Sequence, residues 1–171
     1  MKNIVLVGFM GTGKTVVARK LAGDIGKKYV SIDKLIEERE KRPIRDIFRD
    51  EGEPYFRKVE KEVVKEVSQG RDQIIDAGGG VVLDMENVEN LKRSGIIICL
   101  RADPRTIYER TKKCGHRPLL NVDDPEKRIK ELADERRPFY EKADFHIDTT
   151  GLDVAAAAEQ VKRIIDETEK E

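Results

Sequence analysis

The chain has 171 residues, 40% of them charged, and its 34 Lys and Arg are balanced by 34 Asp and Glu. That length supports one domain with a full core, while the zero net charge and the lack of a basic stripe speak against a nucleic-acid partner. No apolar run is long enough to span a bilayer, and Met1-Lys2-Asn3 enters the first strand without a secretory leader, so no membrane partner and a cytoplasmic location are expected; Cys99 and Cys114 match no metal spacing and are expected reduced, and with no heptad or exposed apolar stripe a monomer is expected.

Ile4-Val5-Leu6-Val7 reads as a buried strand and runs into Gly8-Phe9-Met10-Gly11-Thr12-Gly13-Lys14-Thr15, a G-x-x-x-x-G-K-T string. Strand, glycine loop and following helix together form a phosphate cradle. Successive N–H groups face one anion and the helix start adds its positive dipole end. Gly11, Thr12, Gly13, Lys14, Thr15 and Val16 are the nucleotide-binding candidates, with Lys14 on the outer phosphates and the Thr15 hydroxyl on magnesium. Val16, Val17, Leu21, Ala22 and Ile25 keep helical spacing, and Gly26 stops that helix.

Tyr29-Val30-Ser31-Ile32 makes a second strand with Asp33 at its carboxyl end, and a helix follows through Leu35 and Ile36. Pro43 to Phe48 reads as a short helix with Pro43 in its first turn. Gly52-Glu53-Pro54 opens a longer helix with Phe56, Val59, Val63, Val64 and Val67 as its buried face and Arg57 and Glu60 on the neighbouring face. Ile74-Ile75-Asp76-Ala77 is the third strand. It leads into Gly78-Gly79-Gly80, whose entropic cost implies that something must come close to the backbone there.

A helix from Met85 to Arg93 precedes Ile96-Ile97-Ile98-Cys99-Leu100, continuously apolar like a central parallel strand. Asp103-Pro104 caps the next helix, packed through Ile107 and Tyr108. From Cys114 to Asp124 the pattern breaks into a polar loop around Leu119-Leu120, read as a lid over about 112–124. Asp124-Pro125 starts a helix that carries Arg136-Arg137 and ends near Tyr140, a residue read, like Tyr108, as packing. Phe145 to Asp148 is the fifth strand, and an amphipathic helix bearing Val154, Ala158, Val161, Ile164 and Ile165 closes the chain.

This alternation implies an α/β fold with three α/β/α layers, a central five-stranded parallel sheet and right-handed crossovers. The phosphate loop, Asp33, Asp76 and the triple glycine then gather at the carboxyl edge of the sheet, where open parallel sheets bind ligands. Arg57, Arg110, Arg117 and Arg136 around that edge suggest two anions, a triphosphate and an acidic acceptor.

Gly8 to Thr15, Asp33-Lys34-Leu35-Ile36-Glu37, Ile47-Phe48, Gly52-Glu53, Phe56-Arg57 with Glu60, Gly78-Gly79-Gly80, Arg117-Pro118-Leu119-Leu120 and Arg136 with Tyr140 follow in order over nearly the whole chain. The set resembles the shikimate kinase family. The resemblance implies a single P-loop NTPase domain over 1–171, like the nucleoside monophosphate kinases, with strand order 2-3-1-4-5, a substrate segment at about 33–60 and a mobile lid. It implies ATP and shikimate as substrates, Mg2+ as cofactor, and phosphorylation of the shikimate 3-hydroxyl in aromatic amino acid biosynthesis. Lys14, Asp33 and Arg117 would be the catalytic set, with Asp33 at the reacting hydroxyl either taking its proton or aligning it. Arg57 and Arg136 would hold the shikimate carboxylate beside Gly78, Gly79 and Gly80. Arg117 would come down with the lid onto the phosphates, and Arg110 would pack against the adenine.

The chain departs from the family at Ser31-Ile32-Asp33, where members usually show Asp-x-Asp and use the first Asp near magnesium. Asp76 is the candidate replacement, either helping Thr15 hold magnesium or serving as a hydrogen-bonded structural residue. Competing readings are a kinase for gluconate or a nucleoside monophosphate, and a nucleotide-dependent regulatory protein that has lost transfer activity.

Overall fold

The strand β1 (Asn3–Val7) is buried at every residue because it lies in the middle of the sheet. In this computed structural model, which describes residues 2–113 and 122–170, five parallel strands run in the order β2-β3-β1-β4-β5. The others are β2 (Lys28–Ser31), β3 (Gln73–Asp76), β4 (Gly95–Arg101) and β5 (Phe145–Asp148). The helices are α1 (Lys14–Ile25), α2 (Ile32–Glu40), α3 (Ile44–Glu51), α4 (Glu53–Val67), α5 (Met85–Ser94), α6 (Pro104–Thr111), α7 (Pro125–Tyr140) and α8 (Val154–Thr168).

Alternate side chains of a strand point to opposite faces, so the sheet has two cores. Val5, Val7, Ile75, Ile97 and Cys99 pack with Ile36, Val63, Leu91 and Ile129 on one side. Ile4, Leu6, Ile74, Ile98 and Leu100 pack with Val17, Leu21, Ala158, Val161 and Ile165 on the other. Both faces are covered, which is why most of β1 and of β4 read as unbroken apolar runs. The register sets Leu6 beside Asp76 and Ser31 beside Asp76, so the carboxyl ends of β1, β2 and β3 finish level with one another.

The predicted caps are present: Asp103 accepts from the Thr106 N–H at 2.7 Å and Asp124 from the Lys127 N–H at 3.0 Å, each just before a helix-opening proline. Three local details differ from the sequence reading. Strand β2 ends at Ser31 rather than Ile32, because Ser31 caps α2 by accepting the Lys34 N–H at 3.3 Å. Asp33 therefore sits in the first turn of α2, where a carboxylate also suits the helix dipole. Pro43 is the extended residue before α3, not part of its first turn. Val16 and Val154 keep helical spacing yet are exposed. Among the described residues no helix is long and apolar enough to cross a membrane.

Candidate active site

The phosphate loop begins with a residue that must be glycine. Gly8 has φ 143, and a Cβ there would lie 2.3 Å from the Leu100 carbonyl oxygen of β4. The loop then closes on the Phe9 carbonyl, which accepts from the Thr12 hydroxyl at 2.7 Å and from Lys14 Nζ at 2.9 Å. Gly13 precedes α1 without a side-chain cap, so the first N–H groups of that helix face the loop mouth. Behind the loop, Arg110 donates to the Gly11 carbonyl at 3.2 Å and to the Thr149 carbonyl at 2.8 Å. Its guanidinium thus ties the cradle to the turn after β5.

At the end of β3, Asp76 Oδ2 accepts from the Thr15 hydroxyl at 2.7 Å and from the Tyr29 phenol at 3.1 Å. Burial, and after it the Asp76 charge, raise the Tyr29 phenol above its ordinary value, which keeps it a donor.

The triple glycine explains itself once the side chains around it are placed. A Cβ on Gly78 would lie 2.7 Å from Asp33 Oδ1, one on Gly79 3.6 Å from Arg136 Nη1, and one on Gly80 2.4 Å from both terminal nitrogens of Arg57. Three consecutive positions thus meet an acid and two arginines in turn. Among these three, φ is nowhere in the left-handed region, so the need is for space and not for backbone freedom. Lys14, Thr15, Asp33, Asp76, the three glycines and Arg136 line one cleft of about 520 Å³. A larger hollow of about 970 Å³ near Lys2, Ser68, Arg71 and Arg93, at the opposite end of the sheet, contains none of them.

Both arginines are held from outside the cleft. Arg57 Nη1 donates to Glu60 Oε1 at 2.7 Å, its other nitrogens reach Glu53 at 3.3 Å, and its guanidinium lies over the Phe56 ring. Arg136 lies over the Phe9 ring, 5.8 Å from its centre. Asp33 is open to water along the cleft yet sits deep beside the loop. Loss of solvation and then the Asp76 charge push its carboxyl above the usual range, while Lys14 pulls it back.

The structure brings together Gly11, Thr12, Gly13, Lys14, Thr15, Asp33, Asp76, Gly78, Gly79, Gly80, Arg57 and Arg136 at one edge, with Val16 at the rim. Arg117 and most of the predicted lid lie outside the described residues.

Two contributors were missed. Glu60, read only as lying on the face beside the apolar stripe, is 1% exposed. Burial raises its carboxyl while Arg57 lowers it. The signal was available: position 60 falls within the stripe of Phe56, Val59, Val63 and Val64, where a charge needs a partner. Tyr140, read as packing, is buried but donates its hydroxyl to the Gly79 carbonyl at 2.7 Å. Nothing in the sequence marks a phenol as bonded to a backbone carbonyl 61 residues away.

The model of the shikimate kinase family matches residues 10–169. A shikimate kinase of Thermodesulfovibrio yellowstonii is 50% identical over 161 residues, 94% of this chain and 93% of that protein. One from Caldanaerobacter subterraneus subsp. tengcongensis is 47% identical over 163 residues, 95% of each. Among solved structures, the shikimate kinase of Acinetobacter baumannii in complex with shikimate superposes with a TM-score of 0.92 at 34% identity, covering 100% of this chain and 96% of that one. The Aquifex aeolicus shikimate kinase gives 0.85 at 30% identity, covering 98% of each.

Proposed function

The chain belongs to the shikimate kinase family, and from that premise we propose that it transfers the γ-phosphate of ATP to the 3-hydroxyl of shikimate, giving shikimate 3-phosphate and ADP. The observation that carries this reading is the run Gly78-Gly79-Gly80, which puts Asp33, Arg136 and Arg57 against three successive backbone positions beside the phosphate loop. An acceptor with a carboxylate at one end and a hydroxyl at the other fits that order. Arg57 and Arg136 take the carboxylate, and Asp33 takes the hydroxyl nearest Lys14.

Phosphoryl transfer asks mainly for positioning and charge. The 3-oxygen bonds to the γ-phosphorus as the bond to the β–γ bridging oxygen breaks, and the hydroxyl proton passes to Asp33, or to an oxygen of the transferred phosphoryl group while Asp33 aligns the hydroxyl. The raised Asp33 carboxyl favours proton acceptance. Lys14 offsets charge on the outer phosphates, Arg110 supports the adenine from behind the loop, and Arg117 closes over the phosphates with the lid segment.

Magnesium fits the donors present: Thr15 and Asp76 offer a hydroxyl and a carboxylate 2.7 Å apart at the loop mouth, and a hard cation bound with phosphates needs few protein ligands. Held there by Thr15 and Asp76, Mg2+ would supply positive charge against the outer phosphates. Ser31 is engaged in capping α2 and leaves this role to Asp76. The balanced charge speaks against a nucleic-acid partner, and a cytoplasmic monomer with no membrane partner completes the reading.

An ADP-release assay across acceptors tests the proposal. Shikimate should give the only strong signal, with gluconate and nucleoside monophosphates at the ATPase background. Turnover with one of those and none with shikimate would overturn it, as would ATP binding with no turnover for any acceptor.

A further inference from the structure

Tyr140 stands one helical turn after Arg136 on α7, so the two side chains share a face. Its ring is buried at 6% exposure, and its hydroxyl, which burial pushes up to about 12 against the pull of Arg136, is a permanent donor at physiological pH. The acceptor is the Gly79 carbonyl, 2.7 Å away. That carbonyl belongs to the same planar peptide as the Gly80 N–H, and in a trans peptide the two groups point in opposite directions. A bond to one therefore fixes the aim of the other. Among the described residues no protein acceptor takes the Gly79 or Gly80 N–H. Gly79 also lies against Arg136, and Gly80 against Arg57.

We propose that Tyr140 is a positioning residue for the acceptor: by holding the Gly79–Gly80 peptide to the helix that carries Arg136, it sets the distance between Arg136 and Arg57 and the aim of the Gly80 N–H, and so tunes the fit to a planar carboxylate it does not touch. The inference rests on the carboxylate reading of the two arginines given above. Glycine makes the hydroxyl necessary. The Val81 N–H to Gly78 carbonyl bond of 3.1 Å closes the turn around this peptide, but three residues without side chains add no packing to fix its plane, and the Tyr140 hydroxyl tethers it.

The test is Tyr140→Phe, which removes one oxygen and keeps the ring. Loss of one buried hydrogen bond predicts a rise of about 3- to 10-fold in the shikimate KM, with kcat and the ATP KM within about twofold of the parent. The preference for shikimate over its methyl ester should shrink by a similar factor, because only the carboxylate clamp loosens. Replacing Tyr140 by p-aminophenylalanine, which restores a donor at the same place, should return the KM towards the parent value and serves as the second variant if the first folds poorly. A residue that is only packing would lower the melting temperature and leave the shikimate KM and ester preference unchanged. That result overturns the proposal, as does an equal fall in kcat and in the use of both substrates. Arg57→Ala is the separate control: if it leaves the shikimate KM unchanged, the carboxylate reading itself has failed.

Discussion

Adding one methyl group at each of the three glycines makes three different perturbations of known size. At Gly80 the new Cβ would sit 2.4 Å from both terminal nitrogens of Arg57, against an ordinary contact of at least 3.4 Å, so the guanidinium must retreat by about 1 Å (3.4 − 2.4). Gly80 has φ −99 and ψ −1, which alanine tolerates, and the clash is with the end of a flexible side chain. The fold should therefore survive, and the entropy of the unfolded chain falls by an amount worth about 0.4–1 kcal/mol. Function should not survive intact. A charge-assisted bond is worth about 1.5–3 kcal/mol, so Gly80→Ala should raise the shikimate KM about 10- to 100-fold, with ADP affinity unchanged and the melting temperature level or slightly higher. Gly78→Ala displaces Asp33 instead, since its Cβ would lie 2.7 Å from Oδ1, and the loss should appear in kcat. Gly79→Ala makes only a 3.6 Å contact with Arg136 and should be the mildest. Steady-state ADP-release kinetics with both substrates varied, together with thermal melts, separates the three. Equal losses at all three glycines, or an unchanged shikimate KM in Gly80→Ala, would refute the assignment of one side chain to each position.

Asp76→Asn should raise the Mg2+ concentration needed for half-maximal ADP binding, and Ser31→Asp should lower it at some cost to the cap of α2; calorimetric titration with and without Mg2+ reads both, and no change in the first would place Asp76 outside the metal shell. Asp33 must be ionised to accept or align the hydroxyl, and its carboxyl is raised in the folded protein, so the acid limb of kcat should lie above the ordinary carboxylate value; a limb at or below that value would contradict the role. Glu60 is likewise raised by burial, so the folded protein holds its proton more tightly than the unfolded chain does, and the stability it contributes is present below its unfolded pKa and lost as pH climbs through the folded one. Glu60→Gln should flatten that part of the melting temperature–pH curve while raising the shikimate KM, because Arg57 loses its 2.7 Å charged partner.

Much of the fold was legible because its strongest physical terms are local. Ile96 to Leu100 can only be a strand buried on both faces, and Asp103-Pro104 and Asp124-Pro125 place two helix starts to the residue. The strand order came from the family resemblance, since periodicity does not say which strands are neighbours. Where local rules competed, the sequence reading slipped by one position: Ile32 favours strand by its branching, but Ser31 caps a helix, and the cap prevailed. In the site, residue types and order indicated which groups gather, yet not who holds whom. The pairing of each glycine with Asp33, Arg136 or Arg57 depends on crossings between α2, α4, α7 and the segment after β3. The Tyr140 bond has the same origin, joining residues 61 positions apart.

The proposed reaction needs the phosphate loop and a two-arginine clamp for an acid to stand side by side in one cleft. Arg136→Ala tests it most directly when shikimate KM and ADP affinity are measured on the same protein. Loss of one arm of the clamp should raise the shikimate KM by at least tenfold and leave ADP affinity within about twofold of the parent. An unchanged shikimate KM, or an ADP affinity that falls as far as acceptor use does, would contradict it.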